Sequence, residues 1–186
     1  VVVTAHVITA LQTIASRNAN PLDSIVVSLC SMQTSQLGAF NVIPGHVELI
    51  GTVRTFRPET RELGERRVRE IATAVAMGLG ASAEIEYRRG YPATVNTEKE
   101  AHFAARVGEK VFGKGNVITD GEPTMGGEDF SYMLQERPGA YVFLGQGGVQ
   151  GGCFLHNPAY DFNDDVIPLG ASYLSALIEE SMPARA

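Results

Sequence analysis

Apolar residues recur at Val3, Val7, Ala10, Leu11 and Ile14. That three-to-four spacing predicts an amphipathic helix over residues 1 to about 17. The polar stretch NANPLD (18–23) is a turn. SIVVSLCSM (24–32) is rich in β-branched residues and predicts a strand. After a turn at Pro44-Gly45 the period changes to two. Val47, Leu49, Gly51 and Val53 fall on one side, and Glu48, Ile50, Thr52, Arg54 and Phe56 on the other. Such alternation marks a strand with one covered and one open face. Pro58 suits the first position of a helix, and Leu63, Val68, Ile71, Ala72, Val75 and Leu79 continue it as a second amphipathic helix. SAEIEYRRG (82–90) alternates again, with Ile85 and Tyr87 inward.

The order α-β-β-α-β is that of a split βαβ, ferredoxin-like unit lacking only its first strand. That strand would be central in the sheet. Without it, either another segment fills the gap or the sheet rearranges.

A boundary falls near Ala93. Beyond it, Thr97 and Glu100 form a candidate capping box before a helix over 97–112 with Ala104, Val107 and Val111 on one face. VIT (117–119) predicts a short strand. Asp129 to about Glu136 predicts a short helix, stopped before Pro138. AYVFLG (140–145) has the continuous apolar run of a strand buried on both faces. A Gly-rich loop follows over 146–165, then a last helix over 166–181. Strands alternating with helices around buried runs predict an α/β layer structure.

Composition narrows the function classes. The 186 residues are 44% apolar and 19% charged, an ordinary globular balance. The net charge of −6 offers no basic footprint, so no nucleic-acid partner is expected. No apolar run reaches the roughly 18 residues of a membrane span, so no membrane partner is expected either. The opening VVVTAHVITALQTIA lacks the basic start of a signal peptide. Cys30 and Cys153 make no disulfide framework, and a reducing cytoplasm is the expected location. The chain begins at Val1 inside a periodic pattern and is expected to be a piece of a longer protein.

The candidate chemistry lies mostly in the second half. In PTMGGEDFSYML (123–134), Gly126-Gly127-Glu128-Asp129-Phe130 superficially resembles the GG(D/E)EF loop of cyclic-di-GMP cyclases. That loop is a hairpin turn. Here Pro123 stands where its first strand belongs, and Phe130, Met133 and Leu134 follow at helical spacing. Two glycines ahead of a helix start can instead present free N–H groups to an anion or a carbonyl oxygen. Gly145 lies just past the end of the buried run, where open α/β sheets place ligands. His156 follows in the loop, and Asp161, Asp164 and Asp165 come after it. From residue pattern alone, His156 is either a metal ligand or a loop histidine capping backbone groups.

Taken together, NVIPGHVELIGTVRTF, PTMGGEDFSYML and LHNPAYDFNDDVIPLGASYL resemble the peptidase M20 family. The nearest branch is that of the amidohydrolases of N-acyl amino acids: hippurate hydrolases, auxin-conjugate hydrolases and N-acetyl-diaminopimelate deacetylases. The resemblance implies an α/β metallohydrolase catalytic domain with a ferredoxin-like α+β lid inserted in it. Residues 1–93 would then be most of the lid, a dimerisation domain lacking its first strand. Residues 94–186 would be the C-terminal part of the catalytic domain. It also implies two divalent metal ions, zinc or manganese with cobalt or nickel also compatible, which activate a water and polarise the amide carbonyl.

His156, in LHNP, matches a metal ligand of the family, and imidazole suits such ions. The resemblance implies that the remaining ligands and the general base belong to another part of the family's catalytic domain, which this chain is expected to lack. The chain is therefore expected to carry no catalytic residue and to be inactive alone. Cys153 makes half a zinc pattern with His156 but no second half exists, so it is taken as a small packed residue.

Asn41 and Arg54, thirteen residues apart, match lid residues that hold the substrate carboxylate, often across a homodimer. A guanidinium fork is a natural carboxylate clamp. A solvated strand arginine and a turn asparagine are the plain alternatives. Leu37 stands where these amidohydrolases carry a small residue, a departure in local loop geometry. Gly126, Gly127 and Gly145 are expected to line the substrate pocket, with Glu128 near the metals without ligating them. Asp129 is expected to cap the short helix, and Asp161 to Asp165 to cap and solvate the last one. His6, His46 and His102 are expected in surface or packing roles. The reaction implied is metal-dependent hydrolysis of a small N-acyl amino acid. A non-catalytic dimerisation module built on the lid is the alternative.

Overall fold

The structure, a computed structural model, describes residues 1–36, 38–147 and 155–182; Leu37 and Cys153 lie outside them. The described residues form five α-helices and one two-stranded sheet. They divide into two units: Val1–Ala93 with Thr124–Glu128, and Thr94–Pro123 with Asp129–Ala186.

In the first unit, helix α1 (Val2–Leu11) runs into a π-helical turn, Ile14–Asn18. The wider turn keeps Ile14 fully buried, consistent with π turns accommodating a local change of helical phase. Strands β1 (Ile25–Thr34) and β2 (Val47–Thr55) pair antiparallel. Helix α2 (Pro58–Gly78) follows with proline in its first turn, as expected. Val7, Leu11, Ile14, Ile71 and Ala72 form the core, with Val27, Leu29, Leu49, Val68, Val75, Ala83 and Ile85 packed around it. Both predicted helical stripes and the covered face of β2 thus meet in one cluster.

The hairpin carries one irregularity. Leu29 pairs with Gly51 and Ser31 with Ile50, leaving Cys30 as the extra residue of a bulge. A Cβ at Gly51 would stand 2.5 Å from the Ser28 carbonyl oxygen and 3.2 Å from Leu29 Cδ1. Backbone cannot yield as a side chain can. Gly51→Ala is therefore expected to destabilise the chain by about 1–3 kcal/mol. Gly78→Ala, with nothing within 4 Å of the new carbon, should be neutral or stabilising by up to about 1 kcal/mol. Urea denaturation of the two variants checks this; equal midpoints would refute it.

Among the described residues, three expected strands are not formed. Residues 82–90 keep the predicted alternation, with 83, 85 and 87 half-buried, but form no ladder. Among the described residues the sheet holds β1 and β2, and this segment is not one of its strands. Arginines of α2 hold the segment instead. Arg69 donates to the Ile85 carbonyl at 3.0 Å and Arg61 to the Gly90 carbonyl at 2.5 Å. Arg89 donates to Glu65 at 2.7 Å. That bond is the main reason the Glu65 carboxyl sits below its ordinary 4.5; burial opposes it, and Arg69 adds to it.

In the second unit, α3 (Glu98–Phe112) packs on α5 (Ile167–Ser181) around the fully buried Val107. The Tyr173 hydroxyl donates to the Ala104 carbonyl at 2.9 Å. The expected strands at 117–119 and 140–145 are not formed. The second run is not buried either: Val142 is 47% and Phe143 77% exposed. Helices of this unit touch the run without burying it: the Tyr141 ring lies 5.8 Å from that of Phe130, and a Cβ at Gly170 would stand 3.1 Å from Leu144 Cδ2. A side chain takes the place of a ladder here. Asn96 Nδ2 donates to the Tyr141 carbonyl at 2.9 Å, and the Tyr141 N–H donates to Asn96 Oδ1 at 2.7 Å.

Two expected caps also differ. Thr97 Oγ1 accepts from the Gly139 N–H at 3.2 Å, so the capping box does not form. Asp129 precedes the short helix α4 (Phe130–Glu136), but its own backbone is already helical and its side chain accepts no capping bond. Ahead of α5, Asn163 rather than an aspartate caps the 3-10 turn Asp164–Val166, accepting from the Asp165 N–H at 3.1 Å, and α5 itself, with Val166 at its N-cap, has no side-chain cap. No helix among the described residues is long and apolar enough to cross a membrane.

Candidate active site

In β2, Val53 and Thr55 turn toward the core and Arg54 turns out to solvent. Strand alternation thus aims the guanidinium away from the hydrophobic face, as the sequence pattern predicts. The segment Thr124–Glu128 belongs to the same unit and brings Gly127 against Arg54. A Cβ at Gly127 would overlap Arg54 Nη1 and stand 3.4 Å from both Arg54 Cζ and Tyr91 Cδ2. Gly126, by contrast, would meet only Thr124 Oγ1 at 3.7 Å, an ordinary contact. Glu128 follows, half-buried. Among the described residues Arg54 makes no ion pair. Asn41 is exposed in the turn at 40–41 and makes no hydrogen bond with Arg54.

His156 and Gly145 lie in the other unit. His156 is exposed and is the one non-glycine residue with positive φ among those described, at 71°. A left-handed backbone at a non-glycine residue costs on the order of 1 kcal/mol or more and concentrates at functional sites. Asn157 supports the bend: its Oδ1 accepts from the Ala159 N–H at 2.9 Å, and its carbonyl accepts from the Tyr160 N–H at 2.9 Å. Gly145 meets nothing within 4 Å at a Cβ position, so neither space nor dihedral demands glycine there. The next residue is anchored. Gln146 Oε1 accepts from the Asn163 N–H at 3.0 Å, and its carbonyl accepts from Asn163 Nδ2 at 2.9 Å.

The structure therefore joins Arg54 to Gly127 within one unit and places His156 on a strained bend of the other. Tyr91 beside Gly127, and the Gln146–Asn163 and Asn96–Tyr141 clamps, carry no signal in the sequence pattern. His6, His46 and His102 are all exposed; His102 lies 3.7 Å from the exposed Glu98. The hollow beside the hairpin, about 380 Å³ and lined by Gln33, Thr34, Ser35, His46 and Glu48, contains none of the candidate groups. Among the described residues no three His, Cys, Asp or Glu side chains come together to hold a metal ion. These residues alone do not complete a metal centre.

Comparison with known proteins supplies the context. Residues 4–180 match Peptidase family M20/M25/M40. Hippurate hydrolase of Campylobacter jejuni is 34% identical over 170 residues, covering 91% of this chain and 43% of that protein. An N-acetylcysteine deacetylase of Bacillus subtilis is 30% identical over 172 residues, covering 92% and 43%. Among solved structures, a Bacillus subtilis dinuclear metal-binding peptidase of the M20 family superposes with a TM-score of 0.71 at 27% identity. That match covers 98% of this chain and 46% of the other. The chain thus spans less than half the length of each of these relatives.

Proposed function

The chain belongs to peptidase family M20/M25/M40, and from that membership we propose that the full-length protein hydrolyses the amide bond of small N-acyl amino acids with the help of divalent metal ions. The relatives include hydrolases named for hippurate and for N-acetylcysteine, both N-acyl amino acids. The observation that carries the reading is Arg54. It is an outward-facing guanidinium set against a glycine backbone and held in no ion pair among the described residues. Such a group is suited to the free carboxylate that every N-acyl amino acid presents.

In this reading residues 1–93 are the lid and dimerisation domain and 94–186 the C-terminal part of the catalytic domain. Arg54 orients the substrate by its carboxylate, with Asn41 contributing from the lid. Gly126 and Gly145 are each assigned to substrate binding, and Gly127 lies against the Arg54 guanidinium. His156 supplies one imidazole to a metal centre whose other ligands come from the rest of the protein. The Asn157 turn holds that imidazole on its bend before any substrate arrives, so less of its positioning depends on ligand binding.

The test is hydrolysis by the full-length protein of N-acetyl and N-benzoyl amino acids, alongside the corresponding amino-acid amides, with and without chelation. Cleavage of the acids that chelation abolishes, with the amides poor substrates, is expected. Equal cleavage of acids and amides, or no cleavage of either, would overturn the reading.

A further inference from the structure

Gly127 and Arg54 are seventy-three positions apart in sequence, yet the guanidinium occupies the space a side chain at 127 would need. A Cβ there would overlap Arg54 Nη1 and touch Arg54 Cζ and Tyr91 Cδ2, each at 3.4 Å. The backbone at 127 is not left-handed, so its dihedral does not call for glycine; the neighbouring arginine does. Gly126 has no comparable neighbour. The two glycines of the pair are therefore not equivalent.

We propose that Gly127 is a positioning residue for Arg54: its missing side chain forms the seat in which the guanidinium lies. Gly127 then acts on carboxylate recognition through Arg54 and not by touching substrate. This rests on the reading of Arg54 as the carboxylate clamp. The atom in conflict is the far end of a flexible side chain, which moves at little cost. An alanine at 127 displaces the guanidinium and leaves the fold in place. A displacement of about 1 Å at a positioning group is enough to cost on the order of 100-fold.

The experiment is a double-mutant cycle in the full-length protein with Gly127→Ala, Arg54→Ala and the pair. Two readouts are taken: KM for an N-acetyl amino acid, and the preference for that acid over its amide. Gly127→Ala is expected to raise KM about 10- to 100-fold and to erode the preference for the acid, with kcat changed little. In the Arg54→Ala background the same change should add less than about twofold, because the group it displaces is gone. Circular dichroism and the melting temperature confirm that each variant folds. Should Gly127→Ala unfold the chain, Arg54→Ala is expected to restore folding by vacating the space, and failure to do so refutes the seat. If the two losses multiply, Gly127 acts on substrate directly and the inference falls while the clamp stands. If Arg54→Ala leaves both readouts unchanged, the clamp fails and the inference fails with it.

Discussion

Replacing His156 with asparagine in the full-length protein is expected to remove metal and lower amide hydrolysis by at least about 100-fold. Loss of a mere outer partner of a metal-bound histidine already costs about 10- to 100-fold, so loss of the ligand itself sets a higher floor. Asparagine is chosen because His156 sits at φ 71°, and asparagine tolerates that left-handed region better than most residues. The Asn157 turn, with its 2.9 Å bond to the Ala159 N–H, is undisturbed. The variant therefore separates loss of the imidazole from collapse of the bend. Metal content per chain, measured alongside the rate and the melting temperature, decides the matter. An unchanged rate with full metal content would remove His156 from the centre and leave it a loop histidine.

Arg54→Ala is expected to raise KM for N-acyl amino acids about 10- to 150-fold and to leave kcat within a few-fold. A hydrogen bond to a charged group contributes about 1.5–3 kcal/mol, which converts to that range of affinity. The effect falls on KM because the carboxylate is no part of the reacting amide. It is bound alike in the ground and transition states. Arg54→Lys should recover only part of the loss, since an ammonium keeps the charge but not the fork. Steady-state kinetics on an N-acetyl amino acid and its amide provide the check. The amide should be nearly indifferent to both substitutions, and equal losses on acid and amide would assign Arg54 a general structural role.

The two predictions differ in how far the sequence alone could carry them. Alternation from Val47 to Val53 puts Arg54 on the open face of β2, and the structure leaves it exposed there. Period two is a local property of a strand, so it can be read without knowing the fold. The seat at Gly127 could not be read in this way. It depends on the segment at 124–128 meeting β2, and nothing in PTMGGEDFSYML names its partner. On the sequence, both glycines of the pair are equally suited to lining a pocket. Only the atoms beyond each Cα distinguish them.

The same division runs through the fold. The helices from 2, 58, 98, 130 and 167 onward and the hairpin at 25–55 match their apolar periods, because a stripe at 3.6 or 2.0 residues records which side is buried. Residues 82–90 and 140–145 carry equally clear patterns and form no strand. A pattern records burial, whereas a strand also needs a neighbour to take its N–H and C=O groups. Arg61, Arg69 and Asn96 meet part of that need through side chains. The capping box at Thr97 failed for a related reason: Gly139, distant in sequence, took the hydroxyl.

By itself, then, the sequence determined the helices, the hairpin, the outward aim of Arg54 and the likeness to amide hydrolases. All of these rest on short-range periodicity or on motifs read in order. Tertiary structure alone decided which apolar runs found partners and which glycine meets the arginine. Those outcomes depend on contacts between residues far apart in the chain, and excluded volume and hydrogen-bond partnership act only once the chain has brought such residues together.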